Sequence, residues 1–218
     1  MTSTTKTRYP GYDVLNKRGS PSWDAVTRKV VDDRMATPVK PRFLDSDQWR
    51  TALALCAAIV AQPDDRPAVP VAALLDRKLH EDSGDGYRNA RLPRLRDAWR
   101  IGLAALDTES QNAHGDDFAA LSPTQQNMLL QRMQEGQMHE DAWQDMPPEL
   151  FFSDRVLADL YGAYYSHPSA WSEIGFGGPA NPRGYVRMVA DRRDPWEAIE
   201  ATSADDEEHV RQANAHVR

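Results

Sequence analysis

The chain has 218 residues, a net charge of −7 and a single cysteine, Cys56. This length suffices for one sizeable domain, the negative charge disfavours a general nucleic-acid role, and one cysteine excludes an internal disulfide or a thiolate metal cluster held by this chain alone. Hydrophobic residues make up 40 % of the sequence and the mean hydropathy is −0.68. These values predict a modest core with extended segments that become ordered against a partner.

The first 21 residues are polar and contain two prolines and two glycines, which predicts an extended arm. No apolar stretch of the signal-peptide type occurs there, so we expect a cytoplasmic location. Nine lysines and arginines against four aspartates in residues 1–42 give a basic arm that is able to steer docking. A helix follows from Ser22 to about Met35, and its predicted apolar stripe consists of Trp23, Val26, Val30 and Val31.

Further helices are predicted by apolar periodicity, by capping residues and by proline at first turns. Asp45 or Ser46 caps one helix and Ser122, followed by Pro123, caps another. Period-2 patterns are missing, so the fold class is all-α, and the apolar run at 52–61 is too short to span a bilayer. The remaining predicted helices cover 46–62, 71–81, 92–109, 123–136 and 148–165, with a shorter one near Trp143.

The segment after Tyr165 has a different character. Residues 175–185 contain four glycines and two prolines, which predicts irregular backbone surrounded by aromatic side chains. Such a loop suits contact with another surface. The alternative is a loop that wraps its own helices, with Trp171 filling the core. We therefore predict an irregular helical domain at 22–192 between the arm, 1–21, and a polar acidic tail, 193–218, whose helix from Ser203 is solvent-exposed.

Residues 164–180 together with 182–185 resemble the signature of the gluconate 2-dehydrogenase subunit 3 family. Upstream, Leu121-Ser122-Pro123, Gln125, Gln126 and Leu129 are similar to the middle region of that family. The resemblance covers residues 43–192 diffusely and is specific in the final loop.

This resemblance implies a non-catalytic small subunit that assembles with a large flavoprotein of the GMC oxidoreductase type and stabilises it. FAD belongs to that partner, which oxidises a sugar or polyol. Many family members carry a twin-arginine export signal, but Lys17-Arg18 and Arg28-Lys29 precede no apolar stretch here, which favours a cytoplasmic complex. The predicted partner-interface residues are Tyr164, His167, Trp171, Phe176, Gly177, Gly178, Pro179, Arg183 and Tyr185.

No catalytic, cofactor-binding or metal-binding residue is assigned to this chain. The glycine-rich loop lacks the preceding strand of a dinucleotide site, and the Cys-x-x-Cys-His motif of covalent haem does not occur. The alternative function is a self-contained helical metal-binding protein or enzyme that uses histidines and carboxylates, such as Glu135 with His139 or His114 with Asp117. A weaker one is a general adaptor without a redox partner.

Overall fold

The computed structural model describes residues 7–20, 22–38, 40–64, 66–84, 86–179 and 196–217. Those residues form helices and no strand, which confirms the predicted all-α class. Two 3-10 helices span Val14–Gly19 and Phe118–Ala120. The α-helices are α1 Ala25–Met35, α2 Ser46–Ile59, α3 Val71–Glu81, α4 Leu95–His114, α5 Pro123–Gln134, α6 Glu140–Trp143, α7 Pro148–Phe151, α8 Ala158–Ser166, α9 Pro168–Trp171 and α10 Glu207–Asn214.

Contacts along the chain divide it into two compact units. The first consists of Met1–Thr37, Asp64–Val69 and Tyr165–Arg218, and the second of Pro38–Pro63 and Pro70–Tyr164. The first unit therefore joins the two ends of the chain. The domain boundaries predicted at residues 21 and 192 stay a prediction.

Two predicted helix starts in the second unit are confirmed by their capping bonds. Asp45 accepts the backbone N–H of Gln48 at 2.9 Å, and Ser122 accepts that of Gln125 at 3.4 Å. In both cases the glutamine side chain reaches back to the cap residue and completes a capping box. The helix predicted over 148–165 is interrupted, because residues Phe152–Leu157 adopt a π-helical turn between α7 and α8.

Helix α4 is the centre of the second unit. It carries the fully buried Trp99, and the ring of Phe151 meets Trp99 edge-on at 5.3 Å and Trp143 at 5.8 Å between centroids. Gly102 allows this packing, since a Cβ atom there would lie 2.2 Å from the Phe151 ring. The helix extends to His114, past its predicted end at residue 109.

The first unit has a core of its own, built from residues far apart in sequence. Its buried members are Tyr12, Val14, Trp23, Val31, Trp171 and Val217. Asp24, rather than Ser22, caps α1 by accepting the N–H of Thr27 at 2.8 Å. Only part of the predicted α1 stripe is buried: Val31 lies in the core, whereas Val26 is 66 % exposed and Val30 is also exposed.

The acidic end of the chain is packed within the first unit. Val210 and Asn214 on α10 are buried, so the prediction of a solvent-exposed terminal helix is wrong for this face. The Asn214 side chain donates to the carbonyls of Pro10 at 3.0 Å and Ile199 at 2.8 Å, and accepts the N–H of Ile199 at 2.7 Å. The Asn214 amide thereby connects the N-terminal and C-terminal segments of the chain. No pattern of apolar residues in the sequence predicts such a contact. Among the described residues, no helix is long and apolar enough to cross a membrane.

Candidate partner interface

The loop singled out by the sequence is largely packed into its own chain. His167 and Trp171 are buried in the first unit and Tyr164 is buried in the second. Gly178 is also buried, while Phe176, Gly177 and Pro179 are half-buried. Arg183 and Tyr185 lie outside the described residues. Six of the seven predicted interface residues that the structure describes thus belong to the first unit, but four of these seven have little surface to offer a partner.

Trp171 is the best-packed aromatic residue of this loop. It is 3 % exposed, its Nε1 donates to the carbonyl of Tyr165 at 2.9 Å, and its ring meets Phe176 edge-on at 5.3 Å. The guanidinium of Arg34 lies 5.6 Å from the ring centroid and also donates to the carbonyl of Ser166 at 2.7 Å. These contacts favour the alternative in which Trp171 fills the core.

Two glycines of the loop are needed for its path. Gly175 and Gly178 have φ angles of +66° and +74°, a region that residues with a Cβ atom rarely adopt. A Cβ at Gly175 would lie 2.6 Å from the Tyr9 ring, and one at Gly178 would lie 3.0 Å from Trp23. The glycine content therefore follows from positive φ and from close approach to aromatic rings of the N-terminal segment.

His167 has a local role in holding the backbone. It precedes α9, and its Nδ1 atom accepts the N–H of Ser169 at 3.3 Å, which caps this short helix. The His167 side chain is buried.

The basic groups of the N-terminal segment have partners in the same unit. Arg8 pairs with Glu200 through Nε at 2.6 Å, and Arg18 pairs with Asp32, with 2.7 Å between Nη2 and Oδ2. Hydrogen bonds from these guanidinium groups lower the pKa of Glu200 and of Asp32 below their ordinary values. The described part of the arm thus carries less unpaired positive charge than its sequence implies.

Apolar side chains that remain on the surface of the first unit lie beside the loop and on α1. Ile174, within the loop, is 47 % exposed, and Val26 and Val30 are exposed one turn apart on α1. Sequence periodicity assigned both valines to the core and gave Ile174 no role. Only the folded unit shows which side chains pack beside Trp23 and Val31 in the core. The spacing of the valines in the sequence therefore cannot tell a buried valine from an exposed one.

The histidines and carboxylates considered for the alternative function do not converge. Helix α5 ends at Gln134, so Glu135 and His139 do not share a helix face; His139 instead binds Glu109, with 2.8 Å between Nδ1 and Oε2. Within the described ranges, no three His, Cys, Asp or Glu side chains are grouped to hold a metal ion. Burial raises the pKa of Cys56 to about 12, which makes its thiol a poor nucleophile.

Two buried carboxylates in the second unit have structural partners that the sequence did not reveal. Asp76 accepts three backbone N–H groups, those of residues 42, 43 and 44, at 2.6 to 3.0 Å. Asp159 accepts the indole N–H of Trp99 at 2.7 Å and the ammonium of Lys78 at 2.9 Å. An aspartate on the apolar face of a predicted helix is the sequence signal for such a site.

Comparison with known protein families identifies the chain. The family model described as gluconate 2-dehydrogenase subunit 3 matches residues 46–178, which is more than half of the sequence. The chain belongs to the gluconate 2-dehydrogenase subunit 3 family. No curated protein and no solved structure matches it.

Membership of this family confirms the resemblance drawn from the final loop. The matched region begins at the first residue of α2, one residue after its cap Asp45, and ends at Gly178, so it contains the Ser122 capping box and the buried part of the loop. It leaves out α1 and the N-terminal segment that packs on that loop. The family description names a dehydrogenase subunit, which supports the prediction that this chain is an accessory subunit of a dehydrogenase complex.

Proposed function

We propose that this chain is the non-catalytic small subunit of an FAD-dependent sugar or polyol dehydrogenase, and that it binds and stabilises a large GMC-type flavoprotein. The observation that carries this proposal is the family match over residues 46–178. A subunit that binds only the folded partner raises the stability of that partner by mass action. FAD, the reaction and most of the substrate pocket would belong to the flavoprotein, and the complex would be cytoplasmic.

The chemistry of the described residues is compatible with this division of labour. Gly175 and Gly178 follow the helical turn α9 instead of a strand, and they pack against Tyr9 and Trp23. The backbone N–H groups of a dinucleotide site need a strand–loop–helix arrangement that differs from this one. The second candidate function, a metal-binding helical protein, receives no support from the arrangement of Glu109 and His139, which form a pair instead of a cluster.

The predicted interface set is refined by burial. We propose that the loop meets the flavoprotein through side chains that remain accessible, with Ile174, Phe176 and Pro179 in the contact, and that Arg183 and Tyr185 also take part. Tyr164, His167, Trp171 and the two glycines at 177 and 178 would act indirectly by holding the shape of the loop. Apolar residues at the centre of an interface contribute most of its binding energy.

Co-expression tests the proposal. A GMC-type flavoprotein of the same organism is produced with and without this chain, and its solubility, FAD content and activity are measured. We expect soluble, FAD-loaded and active flavoprotein only in the presence of this chain, and a complex that elutes as one species. A flavoprotein that is soluble, FAD-loaded and fully active alone contradicts the accessory role.

A variant control separates binding from folding. Ile174→Asp adds a charge at an exposed position of the loop, so it should leave the melting temperature of this chain unchanged and weaken the complex. Tyr87→Asp is the matched control, since Tyr87 is an exposed residue of the second unit and outside the loop. Equal loss of complex in both variants contradicts a specific role for the loop.

A further inference from the structure

Helix α4 and the segment that precedes α2 form a positively charged surface on the second unit. Phe43 is half-buried, and two guanidinium groups from α4 lie near its ring: the Cζ atom of Arg100 is 4.4 Å from the ring centroid and that of Arg96 is 5.4 Å from it. Lys40 and Arg42 precede Phe43 in the chain and are exposed. We call these five residues the Phe43 surface, and all of them belong to the second compact unit.

The backbone of this surface is held in place by a buried carboxylate. Asp76 accepts three consecutive backbone N–H groups, those of residues 42–44, at 2.6 to 3.0 Å, and thereby fixes the position of Phe43. Arg96 is also fixed, because its Nε donates to the carbonyl of Leu79 near the end of α3 at 2.6 Å. A surface that is already ordered loses little conformational entropy when a partner binds to it.

Arg100 has hydrogen-bond donors without acceptors. Its guanidinium is exposed and makes no hydrogen bond or ion pair within the described ranges, and the side chains of Lys40 and Arg42 likewise have no partner there. The carboxylates of the neighbouring helices do not neutralise it, since Asp82 approaches only the other guanidinium, at 3.7 Å, and the exposed Asp97 forms no ion pair with any described residue. A guanidinium held beside an aromatic ring keeps N–H groups for a bidentate pair with a carboxylate.

We propose that the Phe43 surface docks a carboxylate-bearing segment of a protein partner, with Arg100 in a bidentate pair and with Lys40 and Arg42 as further cations. This inference rests on the proposed function, in which the partner is the large flavoprotein. Arginine and aromatic side chains are enriched at interfaces between proteins. Nucleic acids and anionic lipids are attracted by larger clusters, of about four to eight Lys and Arg for lipids, and the net charge of −7 opposes binding to either.

The first test measures the Kd of the full chain for a GMC-type flavoprotein of the same organism. Arg100→Glu should raise the Kd about 10-fold, because it places a negative charge opposite the partner's carboxylate. Arg100→Lys should raise it about 3-fold, since lysine keeps the charge but loses the bidentate geometry.

The matched control is Arg94→Glu, which changes the net charge by the same amount. Arg94 is an exposed arginine at the start of the same helix, and its side chain also lacks a partner among the described residues. All three variants should melt at the wild-type temperature, and Arg94→Glu should leave the Kd unchanged. An equal rise of the Kd in Arg94→Glu and Arg100→Glu shows an effect of net charge alone and overturns the docking surface.

A second measurement separates this inference from the proposed function, because it does not use the flavoprotein. Fluorescein-labelled hexaglutamate is titrated with the full chain at low salt and followed by fluorescence anisotropy, and phosphatidylserine vesicles are tested by co-sedimentation. We expect saturable binding of the peptide that Arg100→Glu abolishes and Arg94→Glu preserves, without binding to the vesicles.

The two measurements fail in different ways. If the wild-type chain forms no complex with the flavoprotein, the proposed function fails, and the peptide titration alone decides whether the Phe43 surface recognises carboxylates. If Arg100→Glu changes neither the Kd for the flavoprotein nor the binding of the peptide, the docking surface is refuted. Vesicle binding that Arg100→Glu abolishes would assign the surface to anionic lipid and overturn the protein partner.

Discussion

Replacement of Trp171 by alanine should destabilise the first unit strongly. The side chain is 97 % buried, and a tryptophan of about 150 to 250 Å² corresponds to roughly 4 to 6 kcal/mol at about 25 cal/mol per Å². Partial collapse of the cavity reduces this and the lost Nε1 bond to Tyr165 adds to it, so we expect about 3 to 5 kcal/mol. Such a loss lowers the melting temperature of this chain by about 10 °C.

Thermal melting followed by near-UV circular dichroism, together with complex formation in size-exclusion chromatography, gives the assay. Ile174→Ala is the matched control, since it lies three residues away in the same loop but is 47 % exposed. It should leave melting unchanged and reduce complex formation. The reasoning is refuted if Trp171→Ala melts at the wild-type temperature yet no longer binds the flavoprotein, because Trp171 would then be an interface anchor.

Three further predictions concern the second unit. Gly102→Ala places a Cβ atom against the ring of Phe151 and should lower the free energy of unfolding in urea by about 1 to 3 kcal/mol. Gly162→Ala has open space around the new Cβ atom and should raise that free energy by about 0.5 to 1 kcal/mol. Equal effects of the two variants would contradict the packing argument. Asp76→Ala leaves three backbone N–H groups without their acceptor and should lower the free energy of unfolding by about 3 kcal/mol, so an unchanged urea midpoint would count against it. Cys56, whose pKa is raised to about 12, has about one part in ten thousand of thiolate at pH 8, so a disulfide reagent should label it only after unfolding, and rapid labelling of the native chain would show that the thiol is accessible.

Local signals predicted much of the second unit. Asp45 and Ser122 have the side chains that cap a helix, and proline follows Ser122 at the first turn, so these helix starts depend on residues close in sequence. The π-helical turn at Phe152–Leu157 and the end of α4 were not predicted. The end of α4 follows a local signal, since Gly115 caps it with a φ of +81°, whereas the π-helical turn lies next to the contact of Phe151 with Trp99, about which single-sequence periodicity carries no information.

The first unit was harder to predict because its contacts join distant parts of the chain. Trp23, Trp171 and Val217 meet in one core, although nearly 200 residues separate the first from the last. The valines of α1 compete for that core, and nothing in their spacing shows that Val31 is buried while Val26 is exposed. The tail was read as solvated from its acidic composition, yet Asn214 bonds to Pro10 and Ile199. The acidic composition of the tail reflects the exposed face of α10 and does not indicate that its other face is buried.

Two different physical requirements can produce a loop rich in glycine and aromatic residues, and the structure distinguishes between them. Partner recognition needs aromatic rings at the surface, whereas close packing within a chain needs glycines where rings approach the backbone. Gly178 lies against Trp23 and Trp171, and Gly175 lies against Tyr9, so these residues satisfy the second requirement. The pattern therefore identifies the family through its fold, while the proposed recognition of a flavoprotein would fall to exposed neighbours such as Ile174. This explains how the loop sequence predicted the family correctly without defining which of its side chains touch the partner.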